Sequence, residues 1–199
     1  MKRIENLLEQ LSGLPYFDKG TVSRLGYQMG LKDATIDTYI SRFLKSKVMF
    51  RLKSKLYISA DFFEKNREDI SYLFYLANMI RRPSYVSSWA ALQYYGLTTE
   101  AIHSVTSVSR RGTKTYETKV GNFSYQSTKT GLFSGFVIAS GKFDFFIASP
   151  SKALFDLLYF RTRRLRSLSL EEINWLIEEL RIDFDEMSQS EREAFYAMF

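Results

Sequence analysis

The sequence predicts an α+β protein: a small helical domain closed by a β-hairpin at the N-terminus, then a larger C-terminal domain of a mainly antiparallel sheet with helices. Three observations carry this reading. Apolar residues recur at helical spacing through the first forty-five residues, the period switches to two in VMFRL and KLYIS, and a second alternation runs from His103 until SPSKALFDLLYF restores a helical period. The expected division is 1–59 for the first domain, 60–83 for a linking helix and 84–199 for the second domain.

The opening RIENLLEQL places Ile4, Leu7, Leu8 and Leu11 on one helical face, and SGLP ends that helix with a glycine and then a proline. Asp18 can cap a second helix that turns Val22 and Leu25 inward, and Gly30 stands where a tight turn needs positive φ. Asp33 reads as a second cap, before a helix whose Ile36, Ile40, Phe43 and Leu44 form one stripe. Thr35, Thr38, Ser41, Arg42 and Lys45 fall largely off that stripe. A short turn followed by a capped helix with a polar, basic outer face is the pattern of a helix-turn-helix, whose second helix lies in the major groove of DNA. VMFRL and KLYIS then alternate as strands, and the connection through Lys53, Ser54 and Lys55, with Arg51 on the first strand, makes a wing able to touch backbone phosphates. The DNA-binding candidates are therefore Thr35, Thr38, Ser41, Arg42, Lys45, Arg51, Lys53 and Lys55, and the expected partner is a double-stranded operator with inverted repeats. Asp37 lies on the same helix, where it repels phosphate yet can accept from a cytosine amino group. A three-helix unit with a hairpin also serves as a protein-interaction module, and that alternative stays open at this point.

Charge is distributed to match. The net charge is +6; the residues up to Ala60 hold 11 Lys and Arg against 5 Asp and Glu, while the remainder holds 17 of each sign. Within that remainder Arg110 to Arg166 carries 11 basic and 3 acidic residues, whereas Ser167 to Phe199 carries 2 and 9. Clustered positive charge concentrates polyanions and releases counterions on binding, so both basic regions point toward nucleic acid before a small acidic substrate. Arg110, Arg111, Arg161, Arg163, Arg164 and Arg166 form a candidate second basic surface, which either extends the DNA footprint or serves a separate activity of the C-terminal domain, with internal pairing to the acidic tail as the structural alternative.

From Asp61 the chain turns apolar and helical around Tyr72, Leu73, Leu76, Met79 and Ile80, and it stops at Pro83. SYVSSWAALQYYGL predicts a short helix capped by Ser87 or Ser88, burying Trp89, Leu92 and Tyr94 or Tyr95, with Gly96 at its end. HSVTSVS, TYETKV, FSYQST, FSGFVIAS and FDFFIAS read as strands. Pro150 opens a helix with Ala153, Leu154, Leu157 and Leu158 as its apolar face, and SLEEINWLIEELRI and SQSEREAFYAMF give two more.

The winged helix-turn-helix, followed by Ser84, Tyr85, Ala91, Leu92, Gly96 and Leu97 in PSYVSSWAALQYYGL, by SVTSVSRR, and by Pro150, Lys152, Ala153, Leu154 and Asp156 in IASPSKALFDLLYF, resembles the AbiEi family of antitoxins and related prokaryotic regulators. The resemblance covers most of the chain and is weakest over its last thirty or so residues. Ser151 stands where family members usually carry glutamate before the lysine, and the wing lacks the arginine–glycine turn common among them. The resemblance implies a repressor of its own operon that counteracts an AbiEii-like nucleotidyltransferase toxin in a type IV system, without a stable complex between the two. A regulator without antitoxin activity is the alternative within the same class.

An enzyme is the rival from another class, and the inventory disfavours it. His103 is the single histidine and there is no cysteine, so common metal and thiol sites lack their residue types, and no cofactor or metal is expected. No glycine-rich phosphate loop occurs, and the serines of SYVSSW and SPSK lack the G-x-S-x-G context. The Ser-x-Lys pairing of SPSK reads as a helix start, and the aromatics of TYETKVGNFSYQSTK read as core before stacking platform. No run of about 18 apolar residues is present, so no membrane partner is expected and the cytoplasm is the default location.

Overall fold

In the computed structural model, which describes residues 2–101, 103–162 and 168–199, helix α1 (Lys2–Ser12) buries Leu7 and Leu11 and half-buries Ile4 and Leu8, as the leucine spacing requires. The two-residue strand β1 (Phe17–Asp18) leads into α2 (Lys19–Gln28), which Asp18 caps by accepting from the Thr21 N–H at 2.7 Å. That bond holds the Asp18 carboxyl below its ordinary value. Gly30, at φ +73, makes the turn into α3 (Asp33–Lys45), whose Ile36, Ile40 and Phe43 are buried. Asp33 is not the cap expected of it. The amides of Thr35 and Ile36 bond to the Lys32 carbonyl, so the helix starts one residue earlier, and Asp33 sits in its first turn accepting from the Tyr27 hydroxyl. A carboxylate there still complements the positive end of the helix.

Strands β2 (Met49–Lys53) and β3 (Leu56–Ser59) pair antiparallel, and β1 joins them in a three-stranded sheet of order β1-β3-β2. Their connection is the two-residue turn Ser54–Lys55, with Lys55 at φ 60 and a register shift between Arg51 and Lys53. The core of this unit is one cluster built from Leu7, Leu11, Phe17, Val22, Ile36, Phe43, Met49 and Tyr57, so all three helices and the hairpin share it.

Residues 60–83, expected as one linking helix, form two: α4 (Ala60–Asn66) and α5 (Ile70–Ile80). The break has a local cause. Asp69 bonds by its N–H to the Asn66 carbonyl, and its carboxylate accepts from the Ser71 N–H and hydroxyl at 2.9 and 2.6 Å, starting a new helix. The chain divides into two compact units within α5: Met1–Tyr72 with Tyr116–Gly121, and Leu73–Thr115 with Asn122–Phe199.

The second part of the chain continues with β4 (Ser84–Val86), α6 (Ser88–Tyr94), β5 (Ser104–Ser109), β6 (Lys114–Thr118), β7 (Gly121–Ser127), β8 (Phe136–Ala139), β9 (Phe145–Ala148), α7 (Pro150–Thr162), α8 (Leu170–Glu179) and α9 (Gln189–Tyr196). Its strands form a six-stranded sheet of order β6-β7-β5-β4-β9-β8. The sheet is mixed, which corrects the mainly antiparallel expectation: β4 pairs antiparallel with β5 and β8 with β9, but β4 runs parallel to β9 and β5 parallel to β7. Alternation identifies a strand without fixing its direction, and placing β6 outside β7 brings β7 back parallel to β5. Phe123 and Tyr125 on β7 are buried, with the Tyr125 hydroxyl donating to the Ala77 carbonyl at 2.7 Å, so these aromatics belong to the core.

Helix α7 is the centre of this unit, buried without interruption from Ser151 to Leu158. Its first turn is closed from α9, where the Glu191 carboxylate accepts from the Ser151 N–H at 2.8 Å. Ser169 and Glu172 form a capping box on α8, and Ser188 caps α9. Among the described residues, no helix is long and apolar enough to cross a membrane.

Candidate nucleic-acid interface

The apolar stripe of α3 fixes what its other side presents. With Ile36, Ile40 and Phe43 inward, Asp37, Thr38, Ser41, Arg42 and Lys45 are exposed together, while Thr35 is half-buried beside the stripe. Thr38 donates its hydroxyl to the Ala34 carbonyl at 2.7 Å and Ser41 donates to the Asp37 carbonyl at 2.9 Å. Among the described residues, the side chains of Arg42 and Lys45 have no partner. Five of the eight sequence candidates thus lie on α3, four of them on one exposed face.

The carboxylate on this face is balanced by a residue that sequence reasoning missed. Lys19, at the start of α2, places its Nζ 2.6 Å from Asp37 Oδ1. The bond to Asp37 holds the Lys19 ammonium above its ordinary pKa. Eighteen positions separate the two residues, and only the angle between α2 and α3 brings them together. That angle depends on another unforeseen residue, Gly26, where a Cβ would lie 2.7 Å from Ile36 Cδ1.

On the hairpin, Arg51 is exposed and reaches over the Tyr57 ring at 5.9 Å, Lys53 is half-buried and Lys55 is exposed at the turn. If this turn lies along the DNA backbone, removing Lys53 and Lys55 will lower the slope of log K against log salt by up to about two units, because each lost phosphate contact contributes about 0.9. Filter binding of specific and nonspecific duplexes across a salt series checks this; an unmoved slope places the hairpin away from DNA.

Of the second basic group, Arg110, Arg111 and Arg161 fall within the described residues. Arg110 and Arg111 are exposed after β5, with Arg110 donating to the Thr130 hydroxyl at 3.2 Å. Arg161, at the end of α7, pairs with Glu179 of the acidic helix α8 at 3.1 Å, an instance of internal pairing. Arg163, Arg164 and Arg166 lie outside the described residues.

In the second unit, the motif residues Tyr85 and Lys152, together with Ser87, converge on the carboxylate of a third motif residue, Asp156. Asp156 accepts from Lys152 Nζ at 2.6 Å, from Ser87 Oγ at 2.7 Å and from the Tyr85 hydroxyl at 3.0 Å, and all four residues are buried. Burial pushes the Asp156 carboxyl up, and the Lys152 ammonium and the two hydroxyls pull it back. Burial likewise pushes the Tyr85 phenol far up, so it stays a donor. Ser87 occupies the N-cap position of α6 but makes no capping bond there; its hydroxyl goes to Asp156. SPSK is a helix start, with its lysine turned into the core over the Phe155 ring at 4.8 Å. The readable signal was a lysine and an aspartate four apart on a helix otherwise apolar. His103 is exposed ahead of β5. No protein-family model matches the chain, and no curated protein matches it at a significant level.

Proposed function

We propose that the first unit is a winged helix-turn-helix and that the chain is a DNA-binding transcriptional repressor. The observation that carries this reading is the outer face of α3, where Thr38, Ser41, Arg42 and Lys45 are exposed together over a core-facing stripe and the one intervening carboxylate is already paired with Lys19. The hairpin after α3 adds Arg51, Lys53 and Lys55 in the position of a wing. With the resemblance to AbiEi antitoxins, this reading extends to autoregulation of the chain's own operon and protection from a nucleotidyltransferase toxin, with the 84–199 region as the antitoxin-like domain.

Alanine at both Ser41 and Arg42 is expected to reduce operator affinity by tenfold or more while the thermal unfolding curve stays in place, since both side chains are exposed. Gel-shift titration against the DNA upstream of the gene reads the result. A folded double variant with unchanged affinity would falsify the assignment of α3. Protection from a neighbouring nucleotidyltransferase, tested by co-expression, separates an antitoxin from a plain regulator.

A further inference from the structure

We infer that Asp37 makes a sequence choice at this interface, accepting from the amino group of a cytosine in the major groove, while Lys19 cancels its charge against the phosphates. The inference rests on the DNA-binding reading and names what that site selects. On the exposed face of α3 the hydroxyl hydrogens of Thr38 and Ser41 are already given to backbone carbonyls of their own helix, at 2.7 and 2.9 Å. Arg42, Lys45 and Asp37 keep free hydrogen-bonding capacity, Lys45 as a mobile point charge. Arg42 offers donors, and Asp37 offers an acceptor, because Lys19 engages Oδ1 at 2.6 Å and Oδ2 has no partner among the described residues. The Asp37 side chain is 54% exposed and the Lys19 side chain 40%, so the pair stands in solvent. An exposed pair of this kind adds little to stability, which leaves its position on the outer face without a structural purpose.

An unpaired carboxylate in the major groove would be repelled by both phosphate strands. Here a cation from α2 sits on one of its oxygens, and Lys19 is itself fixed at the hairpin by its N–H bond to the Lys55 carbonyl at 3.1 Å. The compensated carboxylate is left as a directed acceptor. Two bases present amino hydrogens in the major groove, the N4 of cytosine and the N6 of adenine. Adenine carries the N7 acceptor beside its amino group, which faces a carboxylate with like polarity; cytosine has no acceptor on its own edge there. Asp37 therefore favours cytosine.

The test is selection from a randomised duplex pool with the full chain, comparing wild type with Asp37→Ala, Asp37→Asn, Lys19→Ala and the Lys19→Ala/Asp37→Ala pair. The expected result is one C·G position in the wild-type motif whose discrimination falls about tenfold in Asp37→Ala, with the other positions unchanged. Asp37→Asn should shift that position toward adenine, since an amide matches the paired N6 donor and N7 acceptor. Lys19→Ala should weaken every duplex alike, and adding Asp37→Ala should restore binding without restoring the base preference. Thermal unfolding at the wild-type midpoint verifies folding of these surface variants. A motif identical in wild type and Asp37→Ala overturns the inference and leaves DNA binding standing; a wild-type chain that enriches no duplex overturns both.

Discussion

Alanine in place of Lys152 is expected to destabilise the second unit by about 3–5 kcal/mol, because it leaves Asp156 buried with no opposite charge. Both tryptophans, Trp89 and Trp175, belong to that unit, so fluorescence-monitored denaturation follows it specifically. The deficit should also depend on pH. In the variant nothing cationic offsets burial, so the folded-state pKa of Asp156 lies above its unfolded value by more than in the parent. The folded state then holds a proton that the unfolded state has released, and stability falls as pH rises from the ordinary carboxylate value through the raised one. Below the ordinary value both states are protonated and the deficit is smallest. Replacing Lys152 and Asp156 together by apolar residues should recover much of the loss, as buried pairs are costly to break and cheap to remove as a unit. A loss in Lys152→Ala of about 1 kcal/mol or less, the size typical of exposed pairs, would show that the pair contributes no more than a surface bridge.

Leucine at Gly26 is expected to cost about 1–3 kcal/mol and to weaken operator binding through displacement of α3. Even a methyl group at this position would lie 2.7 and 2.8 Å from the Cδ1 and Cγ1 atoms of Ile36, which is fully buried and has little room to retreat. The helices would separate or rotate, and the Lys19 to Asp37 contact would open with them. Combining Gly26→Ala with Ile36→Val removes the nearest atom and should be less damaging than the separate effects predict, a coupling that a double-mutant cycle measures. Strict additivity would indicate that α2 and α3 do not meet through this pair.

The local parts of the fold were legible because their causes are local. Leucine spacing gave α1, the Asp18 carboxylate gave the start of α2, and Gly30 gave the turn, each within a few residues. Asp69 was equally local and was missed, since an apolar stripe on both sides of it reads as one helix until its bonds to Ser71 are known. The parallel pairing of β5 with β7 depends on where β6 lies, which no period encodes. At the site, the outer residues of α3 followed from the position of Ile36, Ile40 and Phe43, whereas Lys19 became a neighbour of Asp37 only through helix packing. Tyr85 and Ser87 lie about seventy positions before Asp156 in the chain, so nothing local signalled their convergence; Tyr85 and Asp156 stood out only as residues of a resemblance, and Ser87 only as a cap.

The bond from the Ser151 N–H to Glu191 gives the second unit an order of assembly during synthesis. When α7 leaves the ribosome its first turn still lacks the carboxylate that will satisfy it, and Phe155 lacks Phe199, whose ring will meet it at 5.6 Å. Lys152 follows Ser151 in that same turn, next to the bond that α9 supplies. The helices and hairpin that present Asp37 and Arg42 lie within residues 1–72 and emerge well before this, and the last segment of their compact unit, Tyr116–Gly121, also precedes α7. A ribosome stalled between Thr162 and Gln189 would then have made the whole of the first unit while α7 of the second still lacked its Glu191 partner.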